Sequence, residues 1–176
     1  MAFTFLKAQG RSVGRSLVEE DLVETARGIL AQAKAKNRQV VLPVDCLVAL
    51  DAKNPGRPVI TDIAEIPSDM GGFDIGPRTA KEFSLQLQKA GTIFWNGPMG
   101  VFETPPFDSG TKVVAHAVAD ATQAGAVSVI GGGDSVAAVH QMGVADRISH
   151  ISTGGGASLE FLEGKTLPGV AALNDR

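Results

Sequence analysis

The stretch Gly131-Gly132-Gly133-Asp134-Ser135 holds the residue types in this chain best suited to grip an anion. Glycine has no Cβ, so its backbone enters otherwise costly angles and comes close to a ligand. The apolar run 127–130 precedes the triplet and a helical pattern follows it. A helix entered in this way points unpaired amides, and the positive end of its dipole, at whatever lies before it. Asp134 and Ser135 are good helix N-caps. They also suit a phosphate site, with Asp134 facing the Mg²⁺ of a nucleotide, directly or through water, and Ser135 touching a phosphate. Mg²⁺ takes one or two carboxylates and completes its shell with phosphate oxygens and water. The two readings are compatible.

A second triplet, 154–156, stands in the same strand–loop–helix context. One triplet alone reads as a tight turn. Two of them point to a surface built around one polyphosphate. Two other motifs fail. Gly164-Lys165-Thr166 resembles the end of a phosphate-binding P-loop, but the glycine required five residues earlier is Leu159, and Leu167-Pro168-Gly169 is a poor helix start. Neither triplet has the dinucleotide spacing, since Val136 stands where a third glycine is needed. His116, His140 and His150 are too scattered for a metal site. Cys46 reads as a small buried apolar residue, Trp95 as core, and Glu103 by spacing alone as an exposed loop acid.

The elements that must position these loops alternate between strand and helix. Ser16 to Glu19 has capping-box spacing, and a helical face of Val18, Leu22, Ala26, Ile29 and Ala33 runs to about Lys36. The apolar run 40–44 reads as a strand, and Val59-Ile60-Thr61 as another short one. Pro77 suits the first position of a helix with Ala80, Phe83, Leu87 and Ala90 on one face. Residues 92–95 read as a buried strand. Asp108 or Ser109 caps a helix to about Gln123, 148–152 is the last strand, and a helix spans about 158–162. This order predicts an α/β protein: three layers, a mainly parallel sheet with helices on both faces, in one domain over 1–176. Strands that lack strict polar alternation agree, and ligands of such sheets bind beyond the carboxyl ends of the strands.

Composition sets outer limits. The 176 residues are 44% hydrophobic and 20% charged, an ordinary globular mix. Glycine is high at 21 residues and clusters without a collagen-like period. The net charge of −3 argues against a general nucleic-acid or anionic-membrane surface. No apolar run reaches membrane-spanning length. The start lacks a secretion signal, and one cysteine excludes an internal disulfide and suits a reducing compartment.

The chain resembles the phosphoglycerate kinase family. Phe94-Trp95-Asn96-Gly97-Pro98-Met99-Gly100-Val101-Phe102-Glu103 is similar to one of its signatures. So are Gly131-Gly132-Gly133-Asp134-Ser135 and the run from Ser152 through Gly154-Gly155-Gly156 to Glu160. Asp74-Ile75-Gly76-Pro77, Met1-Ala2-Phe3-Thr4-Phe5-Leu6-Lys7 and Leu167-Pro168-Gly169-Val170 match as well. The likeness covers nearly all of the chain, in the family's order. It implies a Rossmann-like nucleotide-binding lobe of a monomeric, cytoplasmic, glycolytic kinase. That kinase moves a phosphoryl group between 1,3-bisphosphoglycerate and ADP, with Mg²⁺, giving 3-phosphoglycerate and ATP.

On matching positions, the resemblance gives Glu103 the ribose hydroxyls. Gly72, Phe73, Leu17 and Val101 line the adenine pocket, and Gly100 belongs to the same site. Asn96 lies near the phosphates. Gly132, Gly133, Asp134 and Ser135 bind phosphates and Mg²⁺, with Asp134 as the metal-side acid. The amides of Gly133, Gly154, Gly155 and Gly156 face the transferring group. Phe73 stands where leucine is common, and Ser135 where many members have threonine. The family's other lobe, and a glycine-rich loop with lysines, have no counterpart here. The expectation is therefore a lobe that does not catalyse alone and that self-associates or folds weakly. The alternative is a nucleotide-binding module without chemistry. An α/β dehydrogenase fails for want of its fingerprint.

Overall fold

A computed structural model describes the chain except Thr153, Gly155 and residues 174–176. It forms two compact units, the first Met1–Phe83 with Met99–Val113, the second Ser84–Pro98 with the chain from Val114 onward.

The first unit opens with helix α1 (Ala2–Ala8), a 3-10 turn (Glu20–Leu22) and helix α2 (Val23–Ala35). Strands β1 (Asp45–Ala49), β2 (Val59–Asp62) and β3 (Gly71–Ile75) form a sheet in the order β2-β1-β3. Both pairings are antiparallel. For β1 and β2 the reason lies in the connection: 50–58 is too short to hold a crossover helix, and a parallel partner needs one. Leu6, Val13, Cys46, Val48, Ile63 and Ile66 make the core, with Phe3, Val18, Leu42 and Met70 against it. Buried Cys46 is pushed up to about 12 by burial and by the charges of Asp45 and Asp62, so it stays an inert thiol.

Helix α3 (Pro77–Leu87) starts on a buried acid. The Asp45 carboxylate accepts from the Thr79 amide at 2.8 Å, the Arg78 amide at 3.0 Å and the Thr79 hydroxyl at 2.6 Å. Burial raises Asp45, but these bonds together outweigh it and hold the carboxyl below its usual range. Arg78 adds a bond to Asp62 at 2.8 Å.

The second unit carries β4 (Thr92–Asn96), β5 (Val127–Gly131) and β6 (His150–Ile151), all parallel in the order β4-β5-β6. Here the connections do hold helices. Helix α4 (Ser109–Gln123) lies between β4 and β5, and α5 (Gly133–Gln141) between β5 and β6. Ala115, Val118, Ala119, Ile130, Ala138, Val139 and Val144 are fully buried. The Ser149 amide donates to the Ser128 hydroxyl at 3.0 Å and the Ser128 amide returns a bond to Ser149 at 3.1 Å. Short helices α6 (Ala157–Leu162) and α7 (Pro168–Ala171) follow. The α/β class and the parallel, helix-flanked sheet expected from the sequence are thus present.

Several expected boundaries move. The strand expected at 40–44 begins instead at Asp45, because Pro43 offers no ladder donor. The Ser16 capping box does not form. Ser16 is buried and its hydroxyl accepts from the Gly72 amide at 2.9 Å, so a tertiary partner takes the oxygen that would have capped a helix. The helix starts at Val23 after the 3-10 turn. Helices α1 and α7 and strand β3 were not anticipated. Two glycines in β3 hide its strand character, and Pro168 starts α7 as a first-position proline.

Candidate functional site

In the second unit the glycine loop lies at the carboxyl end of β5. Its three glycines do different things. A Cβ on Gly131 would press the Phe94 ring at 2.9 Å. Gly132 has φ +88, and a Cβ there would meet the Asn96 amide nitrogen at 3.0 Å. Gly133 faces open space. So Gly131 and Gly132 let β5 turn tightly against β4, while Gly133 leaves backbone accessible. The first helical bond of α5 runs from the Val136 amide to the Gly132 carbonyl at 3.0 Å, so the amides of 133–135 have no acceptor within the helix. Asp134 is exposed in that first turn, and no described residue bonds its carboxylate.

Ser135 is the buried residue of that first turn. It is 1% exposed, and its hydroxyl accepts from the Gly97 amide at 2.6 Å. The Trp95 indole donates to the Gly97 carbonyl at 2.6 Å. The Gly97 peptide is thus held on both sides, which fixes Asn96 beside Gly132. Beyond β6, the Ser158 hydroxyl donates to the Ser152 hydroxyl at 2.7 Å, and the Gly154 amide approaches the same oxygen at 3.4 Å. Gly156 faces open space, and Gly155 falls outside the described residues.

In the first unit a second constellation forms around β3. Its register against β1 slips from Leu47 opposite Asp74 to Val48 opposite Gly72, so Phe73 is the extra residue of a bulge. A bulge re-aims a side chain. The Phe73 carbonyl accepts from the Val101 amide at 2.9 Å, and its ring lies 5.3 Å from that of fully buried Phe107. The segment 99–108 is therefore strapped to β3, with Phe102 buried, Val101 half-buried and Glu103 exposed. The Thr111 hydroxyl accepts from the Met99 amide at 3.1 Å. Leu17 stands 82% exposed, one residue from the Ser16 that bonds Gly72.

The acid that ties this constellation together enters the sequence reading only within the motif Asp74-Ile75-Gly76-Pro77, without a role of its own. Asp74 is 4% exposed and accepts from the Gly110 amide at 2.7 Å and the Ile75 amide at 2.8 Å. Burial pushes it up to about 6, and the Asp108 charge adds to that. The available signal was an acid inside an otherwise apolar strand pattern, flanked by glycines.

A metal alone has no ready cage. Among the described residues no three His, Cys, Asp or Glu side chains are grouped to hold one. Asp134 by itself fits an ion whose other ligands arrive with a phosphate.

The phosphoglycerate kinase family model matches residues 1–165. The phosphoglycerate kinase of Prosthecochloris aestuarii is 57% identical over 175 residues, which is 99% of this chain and 44% of that protein. That of Thermosynechococcus vestitus is 53% identical over the same share. The solved structure of phosphoglycerate kinase from Coxiella burnetii superposes with a TM-score of 0.91 at 44% identity, covering 97% of this chain and 43% of that one. The chain belongs to the phosphoglycerate kinase family, and it spans less than half the length of the curated relatives it matches.

Proposed function

We propose that the chain supplies the MgADP/MgATP site of a phosphoglycerate kinase, as one nucleotide-binding domain over 1–176. The supporting observation is the open backbone of Gly133, with three acceptor-free amides and an unbonded Asp134 carboxylate behind it. Family membership supplies the substrate class. In the reaction, the phosphorus–oxygen bond of an acyl phosphate breaks and the carboxylate leaves with the electron pair. A bond forms from phosphorus to a terminal oxygen of ADP. The step is glycolytic, and a cytoplasmic location goes with that reading; among the described residues no helix is long and apolar enough to cross a membrane.

Such transfer depends on positioning and charge stabilisation. Gly72, Phe73, Leu17, Gly100 and Val101 hold the base, and the Glu103 carboxylate accepts from the ribose hydroxyls. The amides of Gly132, Gly133, Asp134 and Ser135 and the Asn96 side chain hold phosphates. The amides of Gly133, Gly154, Gly155 and Gly156 face the transferring group. Asp134 holds Mg²⁺, which neutralises phosphate charge when bound. The buried Ser135 hydroxyl mainly positions the 96–98 turn and keeps one proton to donate.

The test is a thermal melt of the purified chain with and without MgADP. A ligand that binds only the folded state stabilises by about 2.7 kcal/mol at a hundred times its dissociation constant. A shift of that order, lost in Asp134→Ala, supports the reading. A cooperative melt indifferent to MgADP sinks it. The chain alone is expected to make no ATP from 1,3-bisphosphoglycerate; a measurable rate would overturn that expectation.

A further inference from the structure

Asp74 is a buried acid without a cation. Among the described residues no Lys, Arg or His forms an ion pair with it. Its two oxygens take one amide each, Ile75 on its own strand and Gly110 in the first turn of α4. The space around them is made by glycines. A Cβ on Gly100 would lie 2.5 Å from the carboxylate, and one on Gly110 would overlap it outright. Two glycines thus give the carboxylate room, and one of them, Gly100, adjoins Val101. An acid kept in so tight a pocket costs stability in its charged form. Its bonds instead fix where segment 99–110 meets β3.

We propose that Asp74 is a positioning residue of the nucleotide site. Its carboxylate grips the start of α4 from β3 and so sets the 99–108 segment, with Val101 and Glu103, at one fixed height beside Gly72 and Phe73. The proposal rests on the base-and-ribose reading of those residues. It does not concern the phosphate loop.

The ionised carboxylate accepts two amide bonds without conflict. A protonated one turns a donor toward one of two donors, and the grip on Gly110 or Ile75 loosens. The other charged or imidazole groups on the packed elements are Asp45 on β1, Glu103 and Asp108 on the segment, and Lys112, His116 and Asp120 on α4. Of these, Asp108 is the one that raises Asp74. Protonation relieves the burial cost while it frees the segment. Positioning and stability therefore respond to acid with opposite signs, which a purely structural role does not produce.

The experiment measures adenosine affinity of the purified chain by calorimetry between about pH 7 and pH 5, alongside melting temperature. Adenosine has no group titrating there. With Asp74 at about 6, wild-type affinity is expected to fall about tenfold over that range. Asp74→Asn is expected to bind weakly and without pH dependence. A pH-independent wild-type affinity overturns the proposal and needs no variant to fold. So does Asp74→Asn binding as tightly as wild type. If MgADP stabilises the chain but adenosine does not bind, the positioning role fails and the nucleotide reading stands. If neither binds, both fail.

Discussion

The two candidate loops solve one problem with different chemistry. The 131–135 loop of the second unit is pinned by neutral groups: the Ser135 hydroxyl and the Trp95 indole on Gly97, and packing against Phe94 and Asn96. The 99–108 segment of the first unit is pinned by a buried charge on Asp74, with the Phe73 carbonyl and the Thr111 hydroxyl in support. The supporting sheets differ as well. A parallel sheet ends in loops that open onto helix N-termini. An antiparallel sheet offers no such common end, so the first unit uses a bulge and a carboxylate. The lesson is that the contacts holding the 131–135 loop carry no charge, whereas the 99–108 segment hangs on a carboxylate.

The largest test of the contrast is steric. Gly100→Ala drives a methyl against Asp74 and the Phe107 carbonyl, each 2.5 Å from the new carbon. Neither is the loose end of a flexible chain. A loss of roughly 3 kcal/mol or more is expected, read as a lower urea midpoint. A loss below roughly 1 kcal/mol would mean that the segment is not held as described.

Next is acid. Asp74 titrates at about 6 in the fold against 3.8 as the reference. The folded state takes the proton first, so stability from this group rises as pH falls from about 6 toward 3.8. The slope is at most about 1.4 kcal/mol per pH unit. Asp45 is depressed below the same 3.8, so its contribution is present above that value and lost as pH falls below it. The two acids act in separate windows. Urea unfolding at several pH values should show the rise, and Asp74→Asn should remove it.

Gly132→Ala tests the neutral side. At φ +88 the new methyl meets strained backbone and the Asn96 amide. A cost of about 1–3 kcal/mol is expected, with loss of MgADP stabilisation. Trp95 is the only tryptophan, so its fluorescence follows the second unit directly. The smallest expected effect on folding is that of Asp134→Ala. The side chain is exposed and unbonded, so stability should shift by no more than roughly 0.5 kcal/mol. The MgADP shift should nevertheless disappear. A large stability loss here would make Asp134 a structural cap instead.

Local chemistry made part of this legible from the chain alone. The triplet 131–133, the helix after Pro77 and the strands read at 92–95 and 127–130 rest on short-range causes: glycine freedom, proline at a first helical turn, apolar runs of strand length. The α/β class was legible from the alternation of such runs, and the kinase family from the resemblance of long motifs. The sequence could not separate the three glycines, because whether a missing Cβ makes room for Phe94, for Asn96 or for a ligand depends on what packs opposite. It could not turn Ser16 from a cap into a partner of Gly72, fifty-six residues away, or choose antiparallel pairing for β1. Nor could it give Asp74 a role. A carboxylate's work is set by the donors and the dielectric around it, and only tertiary structure brings the Gly110 amide and two bare glycines to that acid.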